Sequence, residues 1–236
     1  MKAIILAAGY GIRMRPLTLK TPKPLLKVNK KPILRHIVQC LPSEISELIL
    51  VVGYLGEQIK DYCGNEFLGR RVRYVWQKKK LGTYHALKLC ESLIEKSERF
   101  LMLYADDLHG AEGIKNCLNH KYAVIVGEAE DPRKFGVVRL NSDGSISEII
   151  EKPESSLSNL VSTGVLLLDS KIFEYEANLH PNGEYYVTSA VSKMIKDNYR
   201  IFAVKSTMWF PIGYPEDVKK AGEFLRKNDF KRIIKE

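Results

Sequence analysis

The sequence predicts one α/β domain, with a mixed, mainly parallel sheet, helices on both faces and a small β-hairpin lobe. Three observations carry that expectation. Strand-like apolar runs alternate with helix-like segments through the first half, the rhythm of successive βαβ units. The second half then changes to strands with few helices between them. The 236 residues are 45% hydrophobic and 28% charged, which suits one large core and not a disordered chain. No repeat, low-complexity linker or boundary divides residues 1–236.

Lys2–Ala7 is a short continuous apolar run, the pattern of a strand covered on both faces, and a Gly/Pro loop follows it through Pro24. Pro32 to Leu41 reads as a helix with proline near its first turn. Glu47–Val52 is a second strand and Gly56–Cys63 a short helix. Val72–Trp76 is a third strand, and Gly82–Ile94 a helix with Ala86, Leu87, Cys90, Leu93 and Ile94 at helical spacing. Phe100–Tyr104 is a strand that runs out at Asp106 and Asp107. Tyr122–Gly127, Gly136–Leu140, Ile146–Glu151 and Val161–Leu168 are the later strands. Between two of them, Asn141-Ser142-Asp143-Gly144 is a hairpin turn whose Asp-Gly pair supplies positive φ angles. That hairpin is expected as a lid or lobe over the sheet. Val187–Lys196 and Pro215–Lys227 are helices, the last burying Val218, Ala221 and Leu225.

Composition excludes several classes of function. Apolar runs such as Leu48–Val52 fall far short of the ~20 residues of a membrane helix. The N-terminus lacks the shape of a signal peptide, so a soluble, cytoplasmic protein without a membrane partner is expected. Cys40, Cys63, Cys90 and Cys117 lie more than twenty residues apart with no C-x-x-C pair, which argues for buried free thiols and against a zinc site. The net charge is 37 − 28 = +9, and its distribution is uneven. Nine basic residues and no acid lie between Met1 and Arg35, whereas the remainder balances at 28 against 28. Such a field suits an anionic ligand, though a solvated basic face is the plain alternative. Nucleic-acid readers carry recognisable modules or interleaved aromatics along a basic stretch. Here the stretch holds glycines and prolines, so a small phosphorylated ligand is expected and nucleic acid is not.

Ligands of parallel sheets bind beyond the carboxyl ends of the strands. Three segments fall there: the loop after the first strand, Gln77–Thr83, and Asp106-Asp107. The loop reads Leu6-Ala7-Ala8-Gly9-Tyr10-Gly11-Ile12-Arg13-Met14-Arg15-Pro16-Leu17-Thr18, then Thr21-Pro22-Lys23-Pro24-Leu25-Leu26. Small residues let backbone N–H groups approach an anion, which the following Arg and Lys neutralise. The loop is neither a P-loop nor the G-x-G-x-x-G dinucleotide fingerprint.

Read as a whole, this segment resembles the signature of sugar-1-phosphate nucleotidyltransferases, L-A-A-G-x-G-x-R-[LM]-x-P-L-T followed by P-K-P-L. These are the NDP-sugar pyrophosphorylases, among them mannose-1-phosphate guanylyltransferases and glucose-1-phosphate thymidylyl- or uridylyltransferases. The resemblance covers nearly the whole chain, as a catalytic domain only. Gln77 with Leu81-Gly82-Thr83 and Ala86-Leu87 is similar to the family's base-binding segment, and Tyr104-Ala105-Asp106 to its strand-terminal Gly-Asp. Phe135-Gly136-Val137-Val138, Glu151-Lys152-Pro153, Thr163-Gly164 and Gly183-Glu184-Tyr185 resemble its sugar-side motifs, and Trp209 to Asp217 its closing motif.

The resemblance implies a Rossmann-like fold and the reaction NTP + sugar 1-phosphate → NDP-sugar + pyrophosphate. Ala8, Gly9, Gln77 and Gly82 are then expected around the base, with Gly11 and Arg13 on the triphosphate and Lys23 near the reacting phosphates. Asp106 would bind Mg²⁺, Gly136 and Glu151 the sugar, and Lys152 its phosphate. The chemistry agrees with these roles. A sugar phosphate is already an anionic nucleophile, so positioning and charge neutralisation suffice and no general base is required. Arg suits bidentate phosphate clamping, Lys acts as a compact charge, and a carboxylate is a hard ligand for Mg²⁺. Asp106 and Asp107 also fit as strand-ending turn residues, Lys152 as a solvated charge, Trp209 as core or lid packing, and His85 and His109 as fillers of helix and loop positions.

Departures from the pattern matter as much. Pro211 stands where the family commonly has a second metal-ligand Asp, so either Asp106 acts with phosphates alone, or Glu216, Asp217 or Asp107 substitutes, or catalysis is impaired. Ala105 and Tyr84 add bulk that would reshape the sugar or base pocket. No hexapeptide repeat follows Asp217, so a C-terminal β-helix domain with acetyltransferase or regulatory function is not expected. Mannose 1-phosphate with GTP, or glucose 1-phosphate with UTP or dTTP, lead as substrate pairs. A cytidylyltransferase acting on a phosphorylated alcohol and a noncatalytic nucleotide-sugar-binding subunit stand as alternatives, and a homo-oligomer is left open.

Overall fold

Strand β1 (Lys2–Ala7) has a parallel neighbour on each side, a position that only a run apolar on both faces can occupy. The computed structural model describes residues 1–155 and 158–227. After β1 come the short ladder β2 (Lys27–Val28) and β3 (Lys31–Pro32), helix α1 (Ile33–Gln39), β4 (Glu47–Val52) and α2 (Gly56–Cys63). Next are β5 (Glu66–Phe67), β6 (Arg70–Trp76), α3 (Thr83–Lys88), β7 (Arg99–Tyr104), β8 (Asp107–His109) and α4 (Ala111–Cys117). The second half holds β9 (Ala123–Glu128), β10 (Gly136–Leu140), β11 (Ile146–Glu151), β12 (Leu160–Asp169) and α5 (Val187–Lys196). The described chain closes with β13 (Phe202–Lys205), β14 (Trp209–Pro211) and α6 (Pro215–Lys227).

The main sheet runs β11-β10-β12-β7-β1-β4-β6-β5, with β9 also paired to β12 and β13 to β9. β7, β1, β4 and β6 are mutually parallel, so their carboxyl ends share one edge. β12 runs antiparallel to β7, which brings its amino end, and the β10–β11 ladder beyond it, to that same edge. The core divides as the strand period of two requires. Ala3, Ile5 and Ala7 of β1 face a cluster with α1, α2, α4 and α6, and Ile4 faces a second one with α3 and α5. All four cysteines are free and buried, and burial pushes their thiols up to about 12.

The mixed, mainly parallel sheet expected from the sequence is present, and β4, α2, β10, β11, α5 and α6 match their expected bounds. Others differ. The hairpin expected as a lid or lobe over the sheet is joined to the sheet's edge, where β10 pairs with β12 through Val137 and Val161. The helix expected from Pro32 begins at Ile33, since Lys31 and Pro32 are drawn into pairing with Lys27 and Val28. The expected Gly82–Ile94 helix ends at Lys88 and resumes as a 3-10 turn at Glu91–Leu93, which still buries Cys90 and Ile94. Asp107, read as a strand end, opens β8, which pairs with β14.

β12 swaps partners along its length, and its register against β9 shifts between Ser162 and Leu166. Gly164 sits in that irregularity with φ +87°, and a Cβ there would lie 2.4 Å from the Tyr104 ring. Gly164→Ala is therefore expected to cost about 2–4 kcal/mol, from a disfavoured φ plus overpacking. Urea unfolding should show a lower midpoint with an unchanged slope.

Candidate active site

The loop after β1 is fixed by its glycine and one buried lysine. Gly11 adopts φ 60° and ψ 37°, and its carbonyl accepts from Thr18 Oγ1 at 2.7 Å. A Cβ on Gly11 would meet Thr18 Cγ2 at 2.9 Å and Lys23 Cβ at 3.3 Å, so the packing admits only glycine. Gly9 and Arg13 lie exposed on the open side, the Arg13 guanidinium 5.6 Å from the Tyr214 ring centroid. Lys23 is buried, and its Nζ donates to Asp106 Oδ2 at 2.8 Å. Sheet order puts Asp106, just past β7, midway along the ligand edge.

On one side of that ion pair, a cavity of about 360 Å³ is lined by Ala8, Tyr10, Tyr54, Trp76, Gln77 and neighbouring residues. Gly82, at the mouth of α3, has φ +97°, and a Cβ there would stand 2.4 Å from the Tyr185 carbonyl oxygen. This close approach ties the base-side segment to the second half. Tyr84 N–H donates to Tyr185 O at 2.9 Å, Tyr185 N–H to Leu81 O at 2.9 Å, and Val187 N–H to Thr83 Oγ1 at 3.1 Å.

On the other side, Gly136 and Glu151 face each other across the β10–β11 ladder. Glu151 Oε2 accepts from Thr188 Oγ1 at 2.6 Å, and burial raises its carboxyl above the usual range, against the opposing pull of Thr188 and Lys152. Lys152 takes φ +42°, a left-handed conformation that turns its Nζ onto Tyr186 Oη at 2.5 Å. Tyr186 in turn donates to Glu184 Oε2 at 2.6 Å and accepts from Asn182 Nδ2 at 2.6 Å.

The structure thus brings Lys23 and Asp106 into contact, gathers Ala8 and Gln77 around one cavity with Gly82 hydrogen-bonded to Gln77, and clusters Gly136, Glu151 and Lys152 across the edge. Sequence reading missed Tyr186, Asn182 and Thr188, which follow or flank a recognised motif and carried no signal of their own. Tyr84, expected to crowd a pocket, is buried in the core, where its hydroxyl bonds to the Tyr175 carbonyl. Ala105 is buried as well. Trp209 packs edge-on to Phe135, and His85, read as a helix filler, bonds to Gln77.

Two of the three carboxylates expected to substitute at Pro211, Asp217 and Asp107, are already engaged. Asp217 Oδ2 accepts from the N–H groups of Gly213 and Tyr214, at the start of α6. Asp107, across the ladder from Pro211, accepts from Trp209 Nε1 at 3.0 Å and Ile212 N–H at 3.3 Å. Asp106 Oδ1 makes no hydrogen bond among the described residues, which also hold no group of three His, Cys, Asp or Glu able to bind a metal. One hard oxygen donor fits a cation that takes its other ligands from water and phosphate, as Mg²⁺ does, and does not fit an all-protein cage.

Comparison with known proteins places the chain in a family. A nucleotidyl transferase family model matches residues 2–228. The bifunctional protein GlmU of Methanococcus vannielii is 34% identical over 243 residues, covering 99% of this chain and 57% of that protein. A UTP--glucose-1-phosphate uridylyltransferase, AglF of Haloferax volcanii, is 34% identical over 238 residues, covering 96% of this chain and 97% of its own. The crystal structure of a UDP-glucose pyrophosphorylase complexed with UDP-glucose superposes with a TM-score of 0.83 at 26% identity, covering 96% and 98% of the two chains. The chain spans little more than half the length of the GlmU relative.

Beneath the site, His109 pairs with Trp209 across β8–β14, and both its ring nitrogens are buried without a partner. Burial pushes its pKa down from 6.5 to about 4, with Asp106 opposing. Between those values the unfolded chain binds the extra proton, so stability is lost as pH falls through this window. This histidine's contribution should fall by about 2 kcal/mol between about pH 7 and about pH 5. Burial pushes the Asp107 carboxyl up to about 7, which gives the opposite slope. The histidine's share is therefore read as the difference in urea-unfolding stability between His109→Leu and the parent. That difference should move by about 2 kcal/mol in favour of the variant from about pH 7 to about pH 5.

Proposed function

The chain belongs to the nucleotidyl transferase family, and from that premise we propose that it transfers a nucleoside monophosphate from an NTP to a sugar 1-phosphate. The observation that carries this reading is the Lys23–Asp106 pair at the middle of the ligand edge, with the Gln77 cavity on one side and the Glu151–Lys152 cluster on the other. A donor nucleotide on the first side and an acceptor sugar on the second meet at that pair.

In this reading the base enters the cavity against Ala8, Gly9, Gln77 and Gly82. The triphosphate crosses the loop at Gly11, where the exposed guanidinium of Arg13 grips phosphate oxygens in bidentate fashion. Gly136, where a Cβ would crowd Glu151 Oε2 and Thr188 Cγ2 at 3.1 Å, lets the Glu151 carboxylate lie close over β10. Glu151 then accepts from sugar hydroxyls, and Lys152 holds the sugar phosphate. A phosphate oxygen of the sugar attacks the α-phosphorus in line. A new P–O bond forms, the bond to the β-phosphate breaks, and pyrophosphate leaves with the electron pair. No proton needs to move, because the nucleophile is already anionic. Lys23 neutralises charge at the α-phosphate, and its burial strengthens that interaction by excluding water. Asp106 would hold Mg²⁺, which when bound neutralises the phosphates it shares with the protein.

One experiment separates the readings. Pyrophosphate release is measured with Mg²⁺ over a grid of NTPs and sugar 1-phosphates, with Asp106→Asn as control. A single productive pair is expected, and the variant should lose about 10²-fold or more in kcat. Pro211 motivates the other reading, a nucleotide-sugar-binding subunit without turnover. Silence across the grid, together with a nucleotide-sugar that raises the melting temperature equally with Mg²⁺ and with chelator, would replace the enzyme by that subunit.

A further inference from the structure

The side-chain nitrogen of Gln77 lies 3.1 Å from the Gly82 carbonyl oxygen and 3.0 Å from His85 Nδ1. A carbonyl can only accept, so the atom facing Gly82 is the amide NH₂ and not its oxygen. That nitrogen has two hydrogens. One goes to Gly82, and the other points at Nδ1, which must then carry a lone pair, with the ring proton on Nε2. Both donors of Gln77 are thereby consumed inside the protein. Its Oε1 makes no hydrogen bond among the described residues and is not among the polar atoms sealed from solvent, and the residue lines the 360 Å³ cavity. What Gln77 offers to that cavity is an acceptor alone.

His85 is what makes the orientation single-valued. Without it, Gly82 would hold one hydrogen of the amide and the other would be free for a ligand, so the same side chain could serve as donor or acceptor. The ring itself is held firmly. It sits on α3, whose first turn is tied down by Val187 N–H on Thr83 Oγ1 and by Tyr84 N–H on Tyr185 O.

We infer that His85 is a positioning residue for base selection: it locks the Gln77 amide so that the cavity accepts bases with a ring imide N–H, uracil, thymine or guanine, and rejects cytosine and adenine. At the corresponding ring atom, cytosine and adenine carry a lone pair, which would face the lone pairs of Oε1 while both hydrogens of the Gln77 amide are already taken. A site built around a hydrogen bond discriminates strongly against a partner that cannot make it. This inference rests on the nucleotide reading of the cavity proposed above.

The test is equilibrium binding of UTP, dTTP, GTP, CTP and ATP to the full chain and to variants at His85. The parent should bind at least one imide-bearing nucleotide about tenfold or more tightly than CTP and ATP. His85→Phe and His85→Leu remove the acceptor and should lower that ratio by about tenfold, through weaker imide binding and stronger CTP binding. Affinity for the sugar 1-phosphate and the melting temperature should not change. His85→Gln restores an acceptor oxygen and should keep the preference, which a merely structural role for the ring would not predict. Whichever of the Phe and Leu variants retains the parental melting temperature decides the comparison. A parent indifferent to the imide, or a ratio unmoved in that variant while nucleotides still bind and turn over, overturns the inference alone. If no NTP binds the parent at all, the nucleotide reading fails and takes this inference with it.

Discussion

The organisation of the ligand edge depends on one buried ammonium group. Lys23 arrives from a loop that has little regular structure of its own, and Asp106 from the end of a central strand. Burying a lone cation is expensive unless a carboxylate and hydrogen bonds answer it. The 2.8 Å contact to Asp106 answers it, and in doing so pins the first loop to the sheet. Without ligand the two side chains neutralise each other. Both still have capacity to spare, since an ammonium carries three hydrogens and a carboxylate several lone pairs. An arriving anion and its counter-cation can share these groups without dismantling the contact that shapes the loop.

The far side of the edge is organised by a different constraint. Lys152 holds a left-handed backbone conformation that a non-glycine residue adopts only when its surroundings compel it. Its N–H donates to the Phe135 carbonyl, and its head meets the Tyr186 hydroxyl, itself bonded to Glu184 and Asn182, where β11 ends. Pro211 belongs to the same economy of charge. No carboxylate stands at that position, and Asp107 spends its own on the Trp209 indole and the Ile212 amide, holding β14 in place from the opposite strand.

Much of this was legible in the sequence, for a physical reason. Lys2–Ala7 and Glu47–Val52 are apolar on both faces, and the interior of a sheet covered by helices on both sides accommodates that pattern. Their carboxyl ends therefore marked the ligand edge, and Lys23, Gln77 and Asp106 were found there. Short elements were not legible. β8 and β14 have three residues each and are defined by pairing between segments far apart in sequence. The pairing of the hairpin with β12 was missed because alternation along β10 and β11 says which face is buried, not which strand lies alongside. His85 carried no sequence signal, since its importance lies in a ring nitrogen meeting an amide eight residues earlier across a turn.

The backbone clasp between residues 81–84 and 185–187 has a consequence for how such a protein can diversify. Leu81, Tyr84 and Tyr185 exchange main-chain hydrogen bonds, and Gly82 lies in near contact with the Tyr185 carbonyl. Except at Gly82 and at Thr83, whose hydroxyl accepts from Val187 N–H, side chains on either side can be exchanged without disturbing those bonds, which run from main chain to main chain. The spacing between the two halves of the edge is therefore set by peptide geometry, like the gauge of a railway. Chemical preference at each end is free to drift while the distance across stays the same.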